Sequence, residues 1–128
     1  MPLVTVTLRR PRDPAFKAAL LDTTHAALVA AGVPERDRFQ RVLTLAPEDF
    51  RADARYPDLE TDRDADYVLI EILWSVGRSV KVKRALVESL VAGLARTPGI
   101  APHDVMIVFK ETAWENWAFA GGRLLHAS

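Results

Sequence analysis

The sequence predicts a two-layer fold of the α+β/α/β kind: two fused β-α-β units forming a four-stranded sheet with two helices on one face. Three observations lead there. Apolar residues alternate with period two and then recur with helical spacing, once in each half of the chain. Each half then ends on a further extended apolar run, so each helix is a crossover and its two strands run parallel. A stretch dense in charge and proline separates the halves. With 128 residues, 49% of them hydrophobic and 27% charged, the chain suits one domain with an ordinary core.

The first strand opens MPLVTVTLRR. After Pro2, side chains Val4, Val6 and Leu8 fall on one face and Leu3, Thr5 and Thr7 on the other, the pattern of a half-buried strand. Proline is tolerated as a strand's first residue because it has no N–H to donate. In chemical terms, removal of Met1 makes the Pro2 nitrogen a free secondary amine at a fixed place in the fold. The helix follows, with Asp13 as N-cap, Pro14 at the first helical position, and Phe16, Leu20, Thr24, Ala27 and Leu28 on its buried side. Gly32 stops it. RFQRVLTLA is the second strand, closing a unit over 2–46 with Phe39, Arg41, Leu43 and Leu45 on one side.

Residues 47–66 are predicted to be a solvated connection with a short hairpin strand near Tyr56. The pattern then returns over 67–110. DYVLIEILW is almost wholly apolar, as expected of a strand covered on both faces. SVGRS is a turn, and Ser79 caps a helix whose buried stripe is Val82, Leu86, Leu90 and Leu94. Pro98 and Gly99 end it, and HDVMIVFKE is the last strand. The tail, 111–128, carries Trp114, Trp117 and Phe119, and is expected to close over a pocket or reach a neighbouring subunit. A thin two-layer domain with a second, partly apolar sheet face is expected to pack against copies of itself.

Composition removes several function classes. Seventeen basic residues offset seventeen acidic ones, so bulk charge gives no case for nucleic acid or an anionic membrane as partner. The chain has no cysteine, and its three scattered histidines lack ligand spacing, so no metal site is expected. No apolar run approaches the ~18 residues of a membrane span, and no basic-then-apolar signal pattern opens the chain. The expectation is a cytoplasmic protein.

Five blocks in order, MPLVTVTL, GVPERDRFQRV, GRSVKVKRAL, PGIAPHDVMIV and ENWAFAGG, resemble the tautomerase superfamily. Within it they are most similar to the long-chain group that includes malonate semialdehyde decarboxylase. The resemblance implies a tautomerase/MIF-like fold, a homotrimer, no cofactor, and an amino-terminal proline as the catalytic group. Residue by residue, it implies catalytic roles for Pro2, for Asp37 of the PERDR segment, and for Arg78 of the turn before the second helix. His25, Trp117 and Phe119 become possible substrate-binding residues. The chain departs from the group at Val76-Gly77-Arg78-Ser79, where the decarboxylase has two arginines in an R-P-R-S arrangement. The related cis-3-chloroacrylic acid dehalogenase carries its second arginine where this chain has Ser75, and a helix histidine where this chain has His25.

The chemistry follows from these groups. Moving a proton between a carbon and its neighbouring carbonyl needs a base with a pKa near the working pH. An apolar pocket and a nearby guanidinium both lower an amine's pKa. A planar guanidinium beside a helix amino terminus holds a carboxylate by two hydrogen bonds. The expected function is thus a cofactor-free tautomerase acting on a small 2-keto acid. Two alternatives stand beside it: a decarboxylase or hydratase of a three-carbon acid, and a non-catalytic ligand-binding trimer.

Overall fold

A computed structural model describes residues 2–125. The sheet has the order β2-β1-β3-β4, with β1 over Leu3–Leu8, β2 over Phe39–Thr44, β3 over Val68–Ser75 and β4 over Val105–Thr112. Helix α1 spans Pro14–Ala30 and α2 spans Val80–Arg96. Strands β1 and β2 are parallel, as are β3 and β4, and each pair is joined through its helix. The two units meet at β1 and β3, which run antiparallel with Leu3 opposite Leu73 and Leu8 opposite Val68.

Local sequence accounts for the helix ends. The Asp13 carboxylate accepts the Phe16 N–H at 2.8 Å, with Pro14 in the first turn where its missing N–H costs nothing. In the second unit the Ser79 hydroxyl accepts the Val82 N–H at 3.2 Å. Gly32 and Gly99 follow the two helices at φ 106° and 102°, a region that side chains with a Cβ avoid.

Both helices lie on one face of the sheet. Val4, Val6 and Leu8 of β1 and Val68, Ile70, Ile72 and Trp74 of β3 pack there against Leu20 and Leu28 of α1 and Leu86, Leu90 and Leu94 of α2. The helices approach closely at Gly93, where a Cβ would lie 2.9 Å from the Thr23 methyl. Val82, predicted in the buried stripe, is only half-buried at the start of α2.

On the open face, Thr5 and Thr7 are buried rather than half-exposed. β1 is an inner strand, and its neighbours' long side chains cover it: Arg41 donates to the Thr5 hydroxyl at 2.8 Å, and Glu71 pairs with Lys110 across β3 and β4. Phe39, Leu43 and Met106 remain largely exposed on this face.

The hairpin strand expected near Tyr56 does not form. The Asp53 carboxylate instead accepts the Arg55 and Tyr56 N–H groups at 2.9 and 2.7 Å, a local turn that competes with strand pairing. Those two hydrogen bonds hold the Asp53 carboxyl below its ordinary pKa. The last strand starts two residues later than HDVMIVFKE predicts and runs one residue further, to Thr112, paired with Ser75. No described helix is long and apolar enough to cross a membrane.

Candidate active site

One end of the sheet gathers most of the residues singled out from the sequence. Leu3 pairs with Phe39 on one side and Leu73 on the other. Pro2, one residue earlier and buried, therefore lies between the start of β2 and the end of β3. Asp37 sits two residues before β2, and Arg78 three residues after β3. The parallel pairing of β1 with β2 and the antiparallel pairing of β1 with β3 thus converge three distant parts of the chain. Met1, whose removal the sequence reading requires, lies outside the described residues.

Arg78 is fixed from several sides. Its Nη1 donates to the Ser75 carbonyl at 2.7 Å. Its guanidinium stacks 4.5 Å from the Trp74 ring and 5.8 Å from the Trp114 ring. Such contacts hold a cation without consuming its charge. Burial pulls the guanidinium below its ordinary pKa, while the charges of Asp37 and Glu111 push the other way. Asp37 therefore lies within electrostatic reach of Arg78, and Glu111 is itself bonded to Lys83 at 2.8 Å. Arginine is protonated throughout the physiological range, so Arg78 is a permanent cation in a partly desolvated place.

The tail forms the aromatic wall. The Trp117 indole N–H donates to the Ser75 hydroxyl at 2.9 Å. Its ring stacks on Phe119 with centroids 5.5 Å apart, and Phe119 contacts Phe39 at the same separation. Ser75, fully buried, is thus a junction: its carbonyl holds Arg78 and its hydroxyl holds the tail. A recess of about 270 Å³ follows, lined by Phe119, Ala120, Arg123, Leu124 and Leu125.

Ser75→Ala keeps the carbonyl and removes the hydroxyl, leaving the Trp117 N–H without its acceptor. The expected cost is about 1 kcal/mol, a drop of about 3 °C in Tm. Tryptophan emission should shift to longer wavelength as the indole meets water. An unchanged spectrum would show that the tail is held by stacking alone.

His25 is placed by α1. It is buried on α1, and its Nε2 meets the Glu35 carbonyl at 2.7 Å, which makes Nε2 the protonated nitrogen. Nδ1 is buried with no hydrogen-bond partner among the described residues. The ring holds the loop that carries Asp37. That loop's exit is tied to the same helix by Arg38 on Asp22 and by Gln40 Nε2 on the Leu21 carbonyl at 2.8 Å.

Sequence reasoning missed Trp74 and Ser75 as parts of the site. Trp74 reads as ordinary strand core, and only the turn bringing Arg78 back over its ring gives it a second role. Ser75 carried a signal, a lone hydroxyl at the end of an apolar strand, which points to a partner.

A four-stranded sheet of two β-α-β units joined at antiparallel central strands defines a class, and comparison places the chain within one. Residues 37–120 match the family model described as tautomerase enzyme, and the chain belongs to this family. Among solved structures, it is similar to the FG41 malonate semialdehyde decarboxylase, with 30% identity and a TM-score of 0.87 over 95% of this chain and 92% of that one. A second malonate semialdehyde decarboxylase, studied for its decarboxylase and hydratase activities, matches at 32% identity and TM-score 0.87, covering 95% and 93%. A fused 4-OT solved as a symmetric trimer shares the fold, at 24% identity and TM-score 0.72 over 95% and 94%.

Proposed function

We propose that the protein is a cofactor-free enzyme moving a proton between carbon and oxygen of a small oxo acid, with the Pro2 amine as general base. The convergence of Pro2, Asp37 and Arg78 at one sheet end supports this reading most directly. Arg78 takes the substrate carboxylate in two parallel hydrogen bonds. The aromatic wall excludes water, which strengthens those bonds and lowers the basicity of the amine toward working pH. Pro2 then removes the enol proton and returns a proton to the adjacent carbon. Asp37 orients the substrate oxygen or Pro2 itself.

The test follows ketonisation of the enol of phenylpyruvate, after mass spectrometry has shown that Met1 is absent. A fast rate supports the reading, and a negligible rate in correctly processed protein overturns it.

A second reading has its own support in the two decarboxylase matches at 30% and 32% identity. Loss of CO2 from a 3-oxo acid leaves the same kind of enolate, and a protonated Pro2 would stabilise it. Only one arginine stands in the 76–79 turn, so any such activity would lack a second guanidinium from that turn.

We further propose a homotrimer assembled through the open sheet face. Phe39, Leu43 and Met106 are exposed there beside charged Arg41 and Lys110, a mixed surface suited to contact between copies. The fused 4-OT of the same fold is a symmetric trimer. Light scattering should give three chain masses, and a monomer at micromolar concentration would exclude this assembly.

A further inference from the structure

A near two-fold relation runs through the sheet. β1 and β3 are antiparallel neighbours at its centre, and each is followed by a helix and a parallel outer strand. The register of Leu3 with Leu73 and Leu8 with Val68 exchanges the start of β1 with the start of β3. The same offset as the N-caps Asp13 and Ser79, which also keeps Val4 and Val6 on one face with Ile70 and Ile72, makes Pro2 correspond to Val68, each buried. Asp13 and Ser79 correspond as N-caps, so Arg12 corresponds to Arg78, each one residue before the cap. Leu3 pairs with Phe39 and its counterpart Leu69 with Met106, so Asp37 corresponds to Asp104, each two residues before that partner. The far end keeps the arginine and a carboxylate, the buried Asp104, and lacks the proline.

The two arginines are also held alike. Arg78 lies 4.5 Å from the Trp74 ring, and Arg12 lies 3.7 Å from the Phe16 ring. What faces them differs. Asp66 Oδ1 accepts from Arg12 Nη1 at 2.8 Å and from Arg10 Nε at 2.6 Å. The space left among Arg9, Arg12, Phe16, Asp66 and Tyr67 is about 10 Å³, room for one water at most.

We propose that this end is a second carboxylate pocket, permanently occupied by Asp66. The chain's own carboxylate meets Arg12 through Oδ1 in the place where a substrate carboxylate would meet Arg78. A tethered group outcompetes a free acid because its effective concentration is high. The pocket lacks the amine of the proposed reaction, since the Val68 nitrogen is a peptide amide at the start of β3. Each chain therefore binds one small acid, and loss of Asp66 uncovers a second binding place for small monocarboxylates. The likeness to Arg78 rests on the function proposed above. Occupancy of the Arg12 pocket is read without any activity, so the two can fail separately.

The test compares wild type, Asp66→Ala and Asp62→Ala, using acetate as probe and chloride at matched ionic strength as control. Asp62 pairs with Arg55 elsewhere on the surface, so its variant frees an arginine outside the pocket. At ~0.1 M, acetate should raise the Tm of Asp66→Ala by about 3 °C beyond its effect on the other two, at fixed protein concentration. NMR should show acetate-dependent shifts at the Arg12, Phe16 and Tyr67 amides in Asp66→Ala only. Asp66→Asn, which keeps the shape and loses the charge, should give a smaller gain of the same sign. No acetate-specific gain in either Asp66 variant, or an equal gain in Asp62→Ala, overturns the proposal.

Discussion

Pro2→Ala should lose roughly 10²-fold or more in kcat/KM, the range of a positioned general base. The variant still offers an amine once Met1 is gone, but a primary one on a freely rotating residue. Proline fixes φ, so its nitrogen is aimed by the strand that follows it. The loss should fall mainly in kcat, because Arg78 and the aromatic wall still bind the acid. The wild-type pH profile separates the two chemical readings. A general base works deprotonated, so kcat/KM rises with pH through the amine's pKa and then levels. A decarboxylase that uses protonated Pro2 shows the opposite limb, falling as pH rises through the same pKa. Apolar surroundings and the Arg78 charge both disfavour the ammonium form, so either limb should lie below the pKa of a free amino-terminal proline. A Pro2→Ala enzyme with unaltered kcat/KM would remove the amine from the mechanism.

Arg78→Ala should raise KM by about 10²-fold, or ~3 kcal/mol, the scale of two charge-assisted hydrogen bonds to a carboxylate. Arg78→Lys keeps the charge but replaces a flat fork with a point charge on a flexible stem. It also loses the flat guanidinium face that stacks on Trp74. About a tenfold rise is expected for it. Measured with a substrate ester, which has no carboxylate, wild type and Arg78→Ala should differ little. An equal loss on acid and ester would mean that Arg78 shapes the pocket rather than binding the acid.

How much of this was legible in the sequence depends on whether the signal was local. Helix caps at Asp13 and Ser79 are one-residue decisions made by a side-chain oxygen and a nearby N–H, and both are found where the pattern puts them. The parallel pairing inside each unit follows from the crossover helix and is also found. Tyr56 was misjudged because β-propensity lost to a carboxylate two or three residues away, a competition that alternation alone does not register. The depth of Thr5 and Thr7 was underestimated for a different reason. Their burial comes from Arg41 and Glu71 on neighbouring strands, and no local pattern carries strand order. The site divides the same way. Arg78 and Asp37 were marked by motif, whereas the Ser75 junction depends on the tail folding back 42 positions later.

The inner position of β1 also has a mechanical consequence. Strand β1 is held by β2 on one flank and by β3 on the other, so the seam between the two units is at the same time the support of Pro2. A substitution that loosens the β1–β3 ladder would leave each β-α-β unit with its own helix and parallel pair, yet shift Pro2 relative to the turn that carries Arg78. Damage at the seam should therefore be felt at the sheet's end before it is felt in the helices.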